Sequence, residues 1–137
     1  MDNILTPVVL LVAWSMVVLG VMALTRFPAM RKAGISLQDA RHTADLAALP
    51  SRVRGFADNY NHLMEQPTVF YALAFYTYLV GHADPLNLKF AWAYFGLRVI
   101  HSLVQTLTNL VPLRFVIFTI GTAVLTVWVG REVFALF

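Results

Sequence analysis

The chain has 137 residues, 59% hydrophobic and 12% charged, with ten Phe, five Tyr and three Trp. Ordinary globular domains carry roughly 45–50% apolar and about 25% charged residues, and the mean hydropathy here is +0.70. One small core cannot bury that much apolar surface, which excludes a soluble enzyme, a disordered tail and a collagen-like chain and leaves an integral membrane protein. The formal charge of +3 rests on ten scattered Lys and Arg, too few for a phosphate-tracking face, so no nucleic-acid partner is expected. Cysteine is absent. Disulfides, thiolate metal sites and a protein-borne thiol nucleophile are thereby excluded.

Four apolar segments follow in order. The first, about residues 4–25, carries no charge from Ile4 to Leu24 and is long enough to cross a bilayer. Asp2 stands where a signal peptide would have Lys or Arg, so this segment is expected to stay as a spanning helix. Arg26 and Pro28 are expected to end it, and a polar loop over about 26–50 follows, with room for a short helical piece. The second segment, about 51–81, opens polar, turns apolar after His62 and holds Pro67, which cannot donate to the Leu63 carbonyl and predicts a kink. Gly81-His82-Ala83-Asp84-Pro85 is a tight break. The third segment covers about 85–110, and Pro112 introduces a fourth over about 113–136. The pattern predicts an all-α membrane protein, an antiparallel four-helix transmembrane bundle forming a single domain over 1–137.

Positive charge sets orientation. Arg26, Arg31, Lys32, Arg41, Arg52, Arg54 and Arg114 fall on the side of the first and third loops, against Lys89 and Arg131 on the other. The long loop is therefore expected in the cytoplasm and both termini on the opposite face, with nothing in the sequence to say which membrane.

Polar residues recur where spanning helices should be apolar. Arg54, Asp58, Asn61, His62 and Glu65 lie within about 100° on the second helix, and Tyr94, Arg98, His101, Ser102, Gln105 and Asn109 on the third. The short connection forces an antiparallel hairpin. About Ala83, Glu65 and His101 are each 18 positions away, so the two stripes meet at equal depth. Glu65 is expected to pair with Arg98. Intramembrane ionisable groups mark functional sites by default, and the cationic donors suit an anionic ligand, its carboxylates or phosphates gripped by Arg. A stripe that only fixes helix packing or oligomeric state is the competing reading.

Plainer roles are expected elsewhere. His42 and His82 sit in loops without metal-ligand spacing, so no metal site is predicted. Trp14, Trp92, Trp128, Tyr76 and Tyr78 are expected to face lipid or the interface. Gly96, Gly121 and Gly130 allow close helix approach.

At these residues the chain resembles the MAPEG family (membrane-associated proteins in eicosanoid and glutathione metabolism), in a bacterial-type form. The second helix carries Arg54, Asn59 or Asn61, and Glu65-Gln66-Pro67; the third carries Arg98-Val99-Ile100-His101; Arg114 opens the fourth. The resemblance implies a homotrimer with glutathione, as cosubstrate, in clefts between subunits. It implies a glutathione-dependent transferase or peroxidase acting on lipophilic electrophiles. Arg114 would be catalytic, stabilising the thiolate, and Arg54, Asn61, His62, Glu65, Arg98, His101 and Gln105 would bind the tripeptide. Gln105 and Phe118 stand where eicosanoid-synthesising members place tyrosines, which favours glutathione binding over eicosanoid synthesis. A non-catalytic assembly or anionic-ligand-binding protein is the alternative.

Overall fold

A computed structural model describes residues 3–137, and every described element is helical. In chain order these are α1 (Thr6–Lys32), a 3-10 turn (Thr43–Leu46), α2 (Ser51–Met64), α3 (Pro67–Leu79), α4 (Pro85–Leu107) and α5 (Val111–Phe134). Of these, α1 and α5 are each long and apolar enough to cross a membrane. Together α2 and α3 occupy the second expected segment, and α4 the third.

The boundaries differ from the sequence reading in instructive ways. The first helix does not stop at Pro28 but runs through it to Lys32, about 40 Å in all. The missing proline N–H costs one hydrogen bond, to the Leu24 carbonyl, and Leu24 is 78% exposed. The polar loop folds back on this extension, where Met30, Leu46 and Leu49 form a small separate apolar cluster.

The second span is broken outright rather than merely kinked. Glu65 leaves the helical path at φ −88°, ψ −97°, and Pro67 restarts the chain at the head of α3. The Leu79 end closes through Gly81 at φ +76°, a left-handed conformation glycine adopts without the Cβ penalty. Asp84 then caps α4, accepting from the Leu86 and Asn87 amides at 3.0 and 2.8 Å.

The third helix of the bundle, α4, is its axis: it touches every other helix and packs most extensively on α5. Its buried side includes Asn87, Ala91, Tyr94, Arg98, His101, Ser102 and Gln105. The expected polar stripe on this helix thus faces inward. Gly121 of α5 lies against it, where an added Cβ would meet the Tyr94 ring at 3.9 Å; Gly96 and Gly130 have open space and serve no such approach.

Two tryptophans are engaged inside the bundle, Trp128 wholly and Trp14 in part. Trp128 is fully buried beside Phe70 and Phe90. Half-buried Trp14 donates its indole N–H to Ser102 at 2.9 Å, and Asn59 donates to the same hydroxyl at 2.7 Å. One serine therefore joins α1, α2 and α4. Tyr76 and Tyr78 are exposed, as expected.

At the far end of the bundle, His82 is paired while still partly exposed. Its Nδ1 lies 2.8 Å from Glu132, a carboxylate buried in the last turn of α5. Asn87 donates to the other Glu132 oxygen at 2.7 Å, and Arg131 pairs with Asp84. A carboxylate at a helix C-terminus opposes the helix dipole, so these donors hold it in place. Asn87→Leu should lower stability by about 1–3 kcal/mol, the cost of leaving a buried acceptor short of a donor. Thermal unfolding in detergent checks this; an unchanged Tm would show that Asn87 is not needed to hold Glu132.

Candidate functional site

The break in the second span creates the site. Without a proline N–H, and with Glu65 off the helical path, the last turn of α2 ends with carbonyls that no helical amide reaches. Buried backbone groups of this kind must find partners within the protein. Arg98 supplies one, its Nη2 donating to the His62 carbonyl at 2.5 Å. The guanidinium is buried, 5.9 Å from the ring centroids of both Tyr94 and Phe118. Its Nη1 lies 3.4 Å from His101 Nδ1.

The expected Glu65–Arg98 ion pair is not formed. Among the described residues the ion pairs are His82–Glu132 and Arg131–Asp84, both at the opposite end of the bundle. Arg98 is turned inward to the interrupted backbone, whereas Glu65, released from the helix, is exposed. The helical wheel puts both residues on facing stripes but cannot give a side chain's radial depth.

Glu65 faces an open cleft of about 380 Å³, lined by Ser51, Arg54, Gly55, Asp58, Asn61, His62, Glu65, Gln105, Asn109 and Arg114. A second cavity of about 260 Å³ adjoins it, lined by His62, Glu65, His101, Val111, Arg114, Phe115 and Phe118. His62, Glu65 and Arg114 belong to both. The first is polar and the second largely apolar, so these three residues stand on the boundary between a hydrophilic and a greasy compartment.

The expected site residues therefore divide. Arg54, Asn61, His62, Glu65, Gln105 and Arg114 line the polar cleft; His101 lines the apolar cavity; Arg98 lines neither and lies behind His101. Asn61, not Asn59, is the asparagine on the cleft, because the two are about 200° apart on the helix and Asn59 turns to Ser102. The aromatic cluster is continuous: the His62 and His101 rings meet edge-on at 5.9 Å, and His101 meets Phe118 at 6.3 Å.

Arg114 is positioned by the turn before α5. Asn109 adopts φ +52°, a left-handed conformation that asparagine tolerates, and its Oδ1 accepts from Arg114 Nη1 at 2.5 Å. Three buried polar atoms on cavity-lining residues have no partner, His101 Nε2, Gln105 Oε1 and Arg114 Nε; Arg98 Nε, behind His101, has none either. Buried polar groups are nearly always satisfied, so unpaired ones beside a cleft suit a polar guest. Among the described residues there is no group of three or more His, Asp or Glu that would hold a metal ion.

An all-α membrane bundle built around an interrupted second span, with a polar cleft opening onto an apolar cavity, defines the class of protein. The MAPEG family model matches residues 4–134, nearly the whole chain, and the chain belongs to that family. The family includes glutathione-dependent transferases and peroxidases as well as non-catalytic members. No curated protein and no solved structure gives a significant match.

Arg98→Leu should cost about 1–3 kcal/mol by orphaning the His62 carbonyl, while exposed, unpaired Glu65→Gln should stay within about 0.5 kcal/mol of the parent. A double-mutant cycle on thermal stability should then give no coupling between these positions. Coupling above about 1 kcal/mol would restore the direct ion pair.

Proposed function

We propose that the protein is a glutathione-dependent membrane transferase or peroxidase acting on lipophilic electrophiles. The observation that carries this reading is the shared boundary: Arg114, Glu65 and His62 line both the polar cleft and the apolar cavity. A hydrophilic tripeptide and a lipophilic electrophile would meet there. The cleft volume lies within the range of small-molecule sites, about 300–1,000 Å³.

The residues fit glutathione by charge and hydrogen-bonding capacity. Arg54 and Arg114 suit its two carboxylates and its thiolate, Glu65 its ammonium group, and Asn61, His62 and Gln105 its amides. His101 serves from the apolar side. Arg98 contributes by holding the His62 backbone. Arg114 would favour ionisation of the thiol by placing a cation near the developing charge. The thiolate would then attack an electrophilic carbon, forming a C–S bond as the leaving group departs or a ring opens and takes up a proton. With a hydroperoxide, two glutathione molecules would give the disulfide, an alcohol and water.

The same reading places the cleft on the cytoplasmic side between subunits of a homotrimer, with both termini on the opposite face and lipid around the bundle. Support comes from the excess of Lys and Arg beside the cleft and from the open mouth, which a neighbouring protomer would complete. A non-catalytic protein binding an anionic ligand is the second reading. It draws on Gln105 and Phe118, which offer no phenol hydroxyl beside the cleft.

Glutathione should raise the Tm of the detergent-solubilised protein, since a ligand held only by the folded state stabilises it by about 1.4 kcal/mol at tenfold excess over Kd. No shift at millimolar glutathione would count against the proposal. Arg114→Ala should reduce thiolate absorbance and conjugation rate more than glutathione affinity. Equal losses would remove Arg114 from the chemical step.

A further inference from the structure

Gln66 is the one side chain at the break that reaches two other helices. It sits between Glu65, which has left the helical path, and Pro67, which begins α3. Its Nε2 donates to the Thr122 hydroxyl of α5 at 2.8 Å. Its Oε1 accepts from the Tyr94 hydroxyl of α4 at 3.2 Å. The amide is thus held at both ends.

Both partners are themselves fixed. Tyr94 is fully buried, stacks on Phe70 at 4.8 Å and faces the Arg98 guanidinium. Thr122 donates onward to the Phe118 carbonyl at 2.9 Å, and the Phe118 ring forms part of the apolar cavity and faces Arg98 from the other side. Gln66 therefore closes a ring of contacts running through Tyr94, Arg98, Phe118 and Thr122. This ring surrounds the interruption in the second span.

We infer that Gln66 is a positioning residue, a strut that fixes the angle between α2 and α3 and with it the place of Glu65 opposite Arg114. The physical reason is that the break keeps only the turn bonds that open α3, from the Thr68 and Val69 amides to the Glu65 and Gln66 carbonyls, and these do not fix its angle to α2. Arg98 secures the α2 side through the His62 carbonyl, and Gln66 secures the α3 side through α4 and α5. Glu65, the residue between them, then has its backbone clamped from both directions while its side chain is free for a ligand. The link to ligand binding rests on the glutathione reading above; the link to span geometry does not.

The absence of cysteine makes a direct test simple. Spin labels on Arg52→Cys of α2 and Val69→Cys of α3, both exposed, report the angle by pulsed EPR, with singly labelled controls for distances between protomers. Gln66→Met and Thr122→Val should each broaden or shift the distance distribution, and the double variant should add nothing. An unchanged distribution in Gln66→Met overturns the strut. In parallel, glutathione affinity should fall about tenfold in each single variant and no further in the double, with KM raised and kcat held. An affinity loss in Gln66→Met with none in Thr122→Val would mean that Gln66 touches the ligand itself, which also overturns the positioning role. If the parent binds no glutathione while the label distances still depend on Gln66, the functional reading fails and the strut stands.

Discussion

The hydrogen bond from Arg98 to the His62 carbonyl is the contact on which the site depends. A proline inside a spanning helix is tolerated when neighbouring groups satisfy the backbone it leaves bare. Here the neighbour is a guanidinium, a cation placed where a helix C-terminus concentrates partial negative charge. Two results follow from one bond. The interrupted segment is held together, and Arg98 is no longer available to neutralise Glu65, whose carboxylate remains open to the cleft.

The two ends of the bundle treat charge in opposite ways. At the end bearing the tight α3–α4 turn, His82, Glu132, Asp84 and Arg131 pair with one another, and Asn87 adds a further donor to Glu132. The charges at that end are matched within the chain. At the cleft end, Arg54, Asp58, Glu65 and Arg114 share one cavity without an ion pair among them. Charges that could neutralise one another but are held apart around a cavity suit a guest, whereas charges already paired serve packing. This contrast within a single chain argues for binding at the cleft more strongly than the polar stripe alone.

Much of this was legible in the sequence, and the gaps have physical causes. Counting outward from Ala83 placed Glu65 and His101 at the same depth, and both line the apolar cavity. Spacing along a helix gives depth and face but not which of two stripe residues turns inward, so the Glu65–Arg98 pair does not follow from it. Pro67 held the missing signal, since an absent N–H implies a carbonyl seeking a donor at the level of the facing cation. Glu132 went unnoticed inside an apolar segment. A lone carboxylate in the last turn of such a helix opposes the dipole and has to be held from elsewhere, which points to His82 and Asn87 across the turn. Tryptophan favours interfaces on average, which points Trp14 and Trp128 outward. Their surroundings depend on tertiary contacts, Ser102 for one and two phenylalanines for the other, that no local pattern encodes.

The location of Phe118 sharpens the chemical argument. A phenol at this position or at residue 105 would offer a thiol a neutral donor, but the chain supplies an apolar ring and an amide. The Phe118 ring instead covers Arg98 and borders His101, walling the buried cation off from the cavity. Of the two arginines nearest the boundary, Arg98 is thus engaged with the backbone, and Arg114 alone lines both compartments. On the proposed reading, the task of stabilising a thiolate rests on that single cation. The turn that aims it, with Asn109 in a left-handed conformation and bonded to the guanidinium, is then as much a part of the site as the residues that line it.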